Sequence, residues 1–152
     1  MDNDKSIDIL NKLIEINNDR IEGYETASKE TQERDLKNLF AEFIATSQKC
    51  KQELVQQVTN LGGTPEQGTR VTGKFFRVWM DVKVALTNND RKAILNSCEY
   101  GENIAIDTYE KALSNSADYS SNLHTIIVSQ QMLIKNDQNK IIRLLEQMHS
   151  HA

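Results

Sequence analysis

Apolar residues recur three and four positions apart along most of the chain, which is the spacing of a helix with one buried face. The pattern has one long interruption, the glycine-rich stretch GGTPEQGTRVTG (62–73), which also holds the single proline. Four long segments and one short segment, KFFRVWMDVKVAL (74–86), keep the helical spacing. The sequence therefore predicts an all-α protein.

The connections between these segments predict how the helices are arranged. The predicted helices lie at about residues 5–28, 34–61, 74–86, 90–113 and 118–148, and the long ones would each extend about 37 Å at about 1.5 Å per residue. Short turns join the first helix to the second and the fourth to the fifth, so each of these pairs is antiparallel. The long crossover makes the second and fourth helices parallel. We therefore expect a single domain, residues 1–152, folded as a ferritin-like up-down four-helix bundle with a long crossover containing a short fifth helix.

Charge and hydropathy argue against two broad classes of function. A net charge of −4 over 152 residues lacks the basic stripe that phosphate contacts require, so we expect no nucleic-acid partner. No apolar run reaches the roughly 18–20 residues of a membrane span, and the beginning, MDNDKSIDIL, is acidic where a signal peptide would be basic. Cys50 and Cys98 lack a CxxC spacing and are expected to be reduced core thiols. These observations predict a cytoplasmic protein with no membrane partner.

A bundle of this kind raises the question of a metal site. Ferritin-like folds with two metal ions take one Glu from each of two helices and a Glu-x-x-His pair from each of the other two. The stretch CEYGENIAIDTYE (98–110) supplies four carboxylates, Glu99, Glu102, Asp107 and Glu110. On a helix stepped at about 100° per residue, Glu102 lies at the edge of the inward stripe and the other three point outward. Most of these carboxylates are therefore expected to form a solvated face.

Histidine is too scarce for a standard di-metal site. None precedes His124, which lies at the start of the last helix and is expected at the surface or as a cap. The only Glu-x-x-His pair is Glu146 with His149, near the end of the chain, where His149 and His151 are interpreted as tail residues. We therefore expect no bound metal and no cofactor.

Several neutral polar residues fall on or near the apolar stripes instead. They are Asn17, Tyr24, Ser47, Ser97, Tyr109 and Gln130, with Asp137 and Gln138 beside them. A buried polar group without a partner costs about 1–3 kcal/mol, so these residues must find partners in the core. We favour a hydrogen-bonded polar layer that fixes the register of the helices. A degraded metal site and a pocket for a small polar ligand are the functional alternatives.

Three stretches carry a resemblance to a known family: IEINNDRIEGYETA (14–27), VWMDVKVALTNNDRKAILNSCEYGE (78–102) and DTYEKAL (107–113). With the helix order between about Ile9 and Leu145, they resemble bacterial ferritin-like four-helix-bundle proteins of unknown function, some described only as stress-associated. The resemblance implies a ferritin-like bundle, no assigned reaction, and metal binding in some members.

The same resemblance locates the residues at which a metal would be expected. Family members often carry an acidic residue in the last helix and a His five positions later, and Leu133 and Gln138 stand at those positions here. Neither Leu nor Gln is a good iron ligand. If any metal ligands carry over, the matching residues are Glu22 and Glu102, and two carboxylates alone make a weak site.

These observations favour a non-enzymatic structural or interaction protein, with a link to stress response implied by the resemblance and no catalytic residues. The alternative is a divergent iron-carboxylate protein with a degraded di-metal site. A phosphate- or nucleotide-binding role has little support, because the stretch 62–73 lacks both the GxxxxGK[ST] pattern and a preceding strand.

The crossover helix predicts self-association. Phe75, Trp79, Val82 and Leu86 recur at helical spacing and are expected to pack onto the bundle. This leaves an apolar excess, Phe76, Met80 and Val84, on flanking or opposite positions. Exposed apolar clusters often mark protein contacts, and a two-fold homodimer is the commonest closed assembly. The alternative is that loop residues such as Val71 cover these side chains within one chain.

Overall fold

The computed structural model describes residues 3–68, 74–114 and 119–150, except the side chains of residues 74–76 and 149–150. The described residues form five α-helices, α1 (Asn3–Glu30), α2 (Arg34–Asn60), α3 (Lys74–Thr87), α4 (Arg91–Leu113) and α5 (Ser121–Ser150). The predicted bounds differ from these by three residues at most. The all-α class, with four long helices and a short helix in the crossover, is confirmed. None of the helices within these ranges has the length and apolar character needed to cross a membrane.

Local signals in the sequence account for the ends of the helices. Gly62 follows α2 with a φ of 83°, a left-handed conformation that glycine adopts without a steric penalty. The amide of Gly63 donates to the carbonyl of Val58 at 3.0 Å and closes the last turn. Asp90 precedes α4, and its carboxylate accepts a hydrogen bond from the amide of Ala93 at 3.1 Å. Helix boundaries are therefore set by glycine and capping residues that are visible in the sequence.

Neighbouring long helices run antiparallel, because residue numbers fall along one helix as they rise along its neighbour. The contacting pairs are Tyr24–Phe40 and Arg20–Ser47 between α1 and α2, Tyr24–Glu102 and Asn17–Tyr109 between α1 and α4, and Gln138–Asn103 and Tyr109–Gln130 between α4 and α5. Since α2 and α4 are both antiparallel to α1, they are parallel to each other, as the long crossover predicts.

The apolar core consists of two clusters, one toward each end of the bundle. The first includes Tyr24 and Phe43, and the second includes Leu13 and Leu54. On every long helix a buried polar residue lies between the members of the first cluster and the members of the second. These residues are Arg20 on α1, Ser47 on α2, Glu102 on α4 and Asp137 on α5. The middle of the bundle is therefore polar, with apolar packing on both sides.

α3 packs along the bundle through its apolar face. Val82 and Leu86 are buried, and Trp79 is partly buried against both apolar clusters. The prediction that these three residues anchor the helix is confirmed. Val78, which the prediction omitted, is buried as well, while the side chain of Phe75 lies outside the described part of the chain.

Two asparagines of α1 hold the first part of the crossover loop. Asn11 donates to the carbonyl of Thr64 at 3.1 Å and accepts from the amide of Glu66 at 2.9 Å. Asn18 donates to the carbonyl of Gly68 at 2.9 Å. The loop therefore runs along α1 from the end of α2 rather than extending into solvent.

Changing Gly23 to Ala tests the contact between α1 and α3. A Cβ at this position would overlap with three atoms of the Trp79 indole. We expect the free energy of unfolding to fall by about 1–3 kcal/mol, because overpacking outweighs the better helix propensity of alanine. Urea unfolding monitored by circular dichroism measures the change.

Gly101→Ala is the matched control for this test. Its added Cβ would lie 3.0 Å from one methyl group of Val78, a tight contact that a small side-chain shift relieves. The gain in helix propensity, about 1 kcal/mol, then offsets most of the loss. Equal stabilities of the two variants would contradict the close packing of Trp79 on Gly23.

Candidate functional site

The position of Arg20 follows from the spacing of the residues around it. Leu13, Asn17, Arg20, Tyr24 and Ala27 are three and four residues apart, so they share one face of α1, and all five are buried. The relative exposure of Arg20 is 0%. A fully buried arginine is rare and requires charged or polar partners.

The partners of Arg20 come from each of the other three long helices. Its Nε and Nη2 donate to the two carboxylate oxygens of Glu102, at 3.0 and 2.8 Å, in a bidentate ion pair. Nη2 also donates to Asp137 Oδ2 at 3.1 Å, and Nη1 donates to the hydroxyl of Ser47. Tyr24 OH donates to Glu102 Oε1 at 2.7 Å. We call Arg20, Tyr24, Ser47, Glu102 and Asp137 the charged layer.

Aromatic rings close the charged layer on one side. The guanidinium carbon of Arg20 lies 5.6 Å from the ring centroid of Tyr24 and 6.0 Å from that of Phe43, within the range of a cation–π contact. Burial by itself would lower the pKa of Arg20, but Glu102, Tyr24 and Asp137 raise the pKa above its ordinary value. The guanidinium therefore stays protonated in the dry core.

The formal charges of this layer do not balance. One guanidinium faces two carboxyl groups, and Glu102 and Asp137 are only 1% and 3% exposed. Burial raises the pKa of Asp137, and the opposing attraction of Arg20 only reduces that rise. The fold therefore favours the protonated form of Asp137 more than water does.

A second polar layer lies beside the first and is centred on two amides and a phenol. Asn17 Nδ2 donates to Tyr109 OH at 2.8 Å, and Tyr109 OH donates to Gln130 Oε1 at 2.7 Å. Gln130 Nε2 then donates to the carbonyl of Cys50 at 3.1 Å and to Glu53 Oε1 at 3.0 Å. This amide layer also joins all four long helices. Its arrangement fits a register-fixing hydrogen-bond network.

Neither layer fits the ligand set of a di-metal site. Besides two carboxyl groups, the inward positions carry a guanidinium, hydroxyls and amides, whereas that site needs four carboxylates and two histidines. Glu102 and Asp137 have oxygens engaged by Arg20, and a metal ion there would meet a fixed positive charge. In the ranges that the structure describes, no group of three or more His, Cys, Asp or Glu side chains is placed to hold a metal.

The structure separates the two metal ligands that the resemblance suggested. Glu22 is exposed on α1, whereas Glu102 is at the centre of the charged layer and not at the edge of the stripe. The two carboxylates therefore cannot form one site. The exposed His124 agrees with its predicted surface position, and His149 and His151 lie outside the described side chains.

Most of the predicted polar residues do lie in the two layers. Asn17, Tyr24, Ser47, Tyr109 and Gln130 are all buried and hydrogen-bonded to residues of other helices. Ser97 is the exception, since it is only half-buried on α4. In the helical pattern of α4, Ser97 lies at the edge of the buried face and not at its centre.

Sequence reasoning missed the central residue of the site. Arg20 has the same three-and-four spacing as Asn17 and Tyr24, and this spacing is the signal that would have found it. Glu53 on α2 is half-buried and accepts a hydrogen bond from Gln130. The position of a charged residue in the helical pattern is therefore a better guide to its burial than its residue type.

The two cysteines are buried and free. Cys50 lies beside the amide layer, and Cys98 lies beside Glu102 of the charged layer. Burial raises the pKa of Cys50 to about 11. Burial, together with the negative charge of Glu102, also raises the pKa of Cys98. Both thiols are therefore protonated at neutral pH, which disfavours nucleophilic or redox chemistry at either sulfur.

Changing Asp137 to Asn tests the charge imbalance. Because the folded chain raises the pKa of Asp137, it holds this proton to a higher pH than the unfolded chain does. Wild-type stability should therefore contain a component that is lost as the pH rises from about 4 through the folded pKa. Asparagine cannot ionise, so the variant should lack this component.

Urea unfolding of both proteins at several pH values between about 4 and 7 measures the difference. Asp107→Asn, an exposed carboxylate of α4, is the control and should keep the wild-type pH dependence. A wild-type advantage over Asp137→Asn that grows with pH would show the opposite sign and contradict the assignment.

The fold resembles that of solved ferritin-like structures over nearly its whole length. A protein from Bacillus anthracis str. Ames, described as a ferritin like, diiron-carboxylate protein, matches with a TM-score of 0.70 and 22% identity, covering 95% of this chain and 99% of that chain. A mutant of Mycobacterium smegmatis Dps1 matches with a TM-score of 0.77 and 14% identity, covering 94% of this chain and 96% of that chain. At these identities the likeness shows the fold alone. No curated protein sequence matches the chain.

A family match covers the larger part of the sequence. Residues 5–115 match the family described as "Domain of unknown function (DUF2383)". The match includes Arg20, Ser47 and Glu102 and ends before Asp137. Because it spans more than half of the 152 residues, the chain belongs to this family of unknown function.

Proposed function

We propose that this protein is a non-enzymatic, cytoplasmic ferritin-like bundle that acts as a structural or interaction protein, with neither a metal nor a nucleic-acid partner. The observation that carries the proposal is the ion pair between Arg20 and Glu102. In this pair the guanidinium of Arg20, a cation that belongs to the protein itself, occupies the middle of the bundle. The interior of the protein then serves its stability and register. In this proposal the protein acts through contacts made by its surface. The family resemblance implies that it does so in connection with a stress response.

The chemistry of the core supports this proposal, because its thiols, phenols and amides are all neutral near neutral pH. The two buried thiols are held protonated, as are the phenols of Tyr24 and Tyr109, whose pKa values are raised chiefly by burial. The amides of the second layer neither accept nor release protons near neutral pH. None of these groups is poised to act as a nucleophile or general base. The free thiols are also typical of a reducing compartment.

The second candidate is a divergent iron-carboxylate protein. It is favoured by the two buried carboxyl groups of Glu102 and Asp137 on facing helices, and by the description of the B. anthracis structure as a diiron-carboxylate protein. A metal at this position would first have to displace Arg20 from Glu102. Breaking a buried ion pair costs about 3–5 kcal/mol, which the metal would have to repay.

Metal analysis of the untagged protein separates the two candidates. We expect far less than one equivalent of iron, manganese or zinc per chain, both as purified and after incubation with Fe²⁺ under anaerobic conditions. The measurement is elemental analysis after desalting. Glu102→Ala and the exposed Glu22→Ala form a matched pair for any metal that is found. One or two equivalents per chain, lost in Glu102→Ala and kept in Glu22→Ala, would establish the iron-carboxylate alternative.

The proposed interaction surface is the outer face of α3, and its proposed partner is a second copy of the chain. Met80 and Val84 are 49% and 59% exposed and lie four residues apart, so they are adjacent on one helix face. Phe76 was predicted to extend this patch, but its side chain is outside the described part of the chain. Exposed Arg77 and Asp81 place both signs of charge beside the patch, which allows reciprocal pairing across a two-fold axis.

Sedimentation velocity tests this dimer with a double variant, Met80→Ser and Val84→Ser. We expect a dimer for the wild type at tens of micromolar and a monomer for the variant, because the apolar centre of the contact is removed. Val128→Ser with Met132→Ser is the control, since this pair is also exposed but lies on α5. A monomeric wild type, or a dimer that survives in the α3 variant, rules out this surface.

A further inference from the structure

We propose that the middle of the charged layer is a preformed site for one small cation, that Arg20 is the cation that the chain supplies, and that a divalent metal ion binds there once the Arg20 side chain is removed. The inference rests on the proposed function in one respect, namely that the wild-type chain holds no metal at this position. It adds a reason why the wild type holds none and names the residues that would hold one.

The geometry around Arg20 is that of a bound cation. Its guanidinium donates hydrogen bonds to oxygens on three sides. These oxygens belong to Glu102 on α4, Asp137 on α5 and Ser47 on α2. Tyr24 OH hydrogen-bonds to the carboxylate that binds most tightly, and so fixes its orientation. These oxygens are held by four packed helices and not by the arginine alone. Removal of the guanidinium should therefore leave the acceptors in place around a cavity.

The charge of the layer favours a divalent ion over the guanidinium. Two carboxyl groups face one positive charge in the wild type, so the guanidinium balances only one of them when both are ionised. A divalent ion in place of the guanidinium would balance both carboxylates. The cavity left by an alanine at position 20 would also provide room for water to complete the coordination.

The donor atoms determine which ion fits. Glu102, Asp137, Ser47 and Tyr24 offer only oxygen, and no imidazole belongs to the layer. Carboxylate, hydroxyl and water ligands suit hard divalent ions such as Mn²⁺ and Mg²⁺. Mn²⁺ is the useful probe, because the electron paramagnetic resonance signal of the hydrated ion disappears when the ion binds to protein.

The experiment titrates Mn²⁺ into chelator-treated wild type, Arg20→Ala, Arg20→Lys and Arg20→Ala with Asp137→Asn. We expect Arg20→Ala to bind one Mn²⁺ per chain. At free Mn²⁺ of about 100 times its Kd, the melting temperature of this variant should rise by about 5–10 °C. The wild type and Arg20→Lys, which both keep a positive charge at position 20, should leave the Mn²⁺ signal unchanged. The double variant should bind at least about ten times more weakly, because it has lost a carboxylate.

Each result decides for or against the proposal. If Arg20→Ala is unfolded without cations, recovery of its helical circular dichroism on adding Mn²⁺ supports the proposal. This result then counts in the same way as direct binding of Mn²⁺ to a folded variant. An Arg20→Ala variant that folds without binding Mn²⁺, or that stays unfolded in its presence, overturns it. Equal binding by Arg20→Ala and the double variant also overturns it, because the ion would then lie elsewhere.

The outcome is distinguishable from a failure of the proposed function. Iron or manganese recovered with the wild-type chain refutes the proposed function, whatever the Arg20→Ala variant does. Failure of Arg20→Ala to bind Mn²⁺, with a metal-free wild type, refutes only the present inference.

Discussion

The bidentate ion pair between Arg20 and Glu102 is the interaction on which the rest of the interior depends. Both groups are removed from water, so the hydration that each loses must be replaced by contacts within the protein. Ser47, Tyr24 and Asp137 supply these contacts, and each comes from a fixed position on a long helix. An apolar bundle tolerates a slip of one helix by a turn, because one aliphatic residue takes the place of another. This bundle does not, because such a slip would leave a buried charge without its partner.

The two polar layers show that this helical fold can enclose a core of charged and amide side chains. The solved structures that share this fold include one described as a diiron-carboxylate protein, whereas the chain described here has a guanidinium and amides at the centre. In this chain, polar groups from all four long helices are matched to one another across the core. A charged side chain and a metal ion are alternative ways to satisfy inward-facing carboxylates. The fold by itself therefore carries little information about chemistry.

The sequence predicted the architecture more fully than the site. The helices, the crossover and the parallel orientation of α2 and α4 follow from periodicity and loop length, which are local properties of the chain. Five of the six predicted polar-layer residues are buried in the two layers, and only Ser97 lies at the margin. The spacing of Arg20 places it on the inward face of α1, but the partners that allow its burial, Glu102 and Asp137, are 82 and 117 residues away in sequence. Partners at that distance are brought together by the tertiary fold alone.

That sequence separation has a consequence for how the bundle forms and opens. The hairpins α1–α2 and α4–α5 each bury apolar surface through contacts that are local in sequence, so they can assemble early. The charged layer closes only when both hairpins meet. Until then Arg20 on one hairpin is separated from Glu102 and Asp137 on the other. We therefore expect the two halves to dock cooperatively. We expect the ion pair to form after the transition state for folding, so that it slows the opening of the native bundle and does little to hasten its assembly.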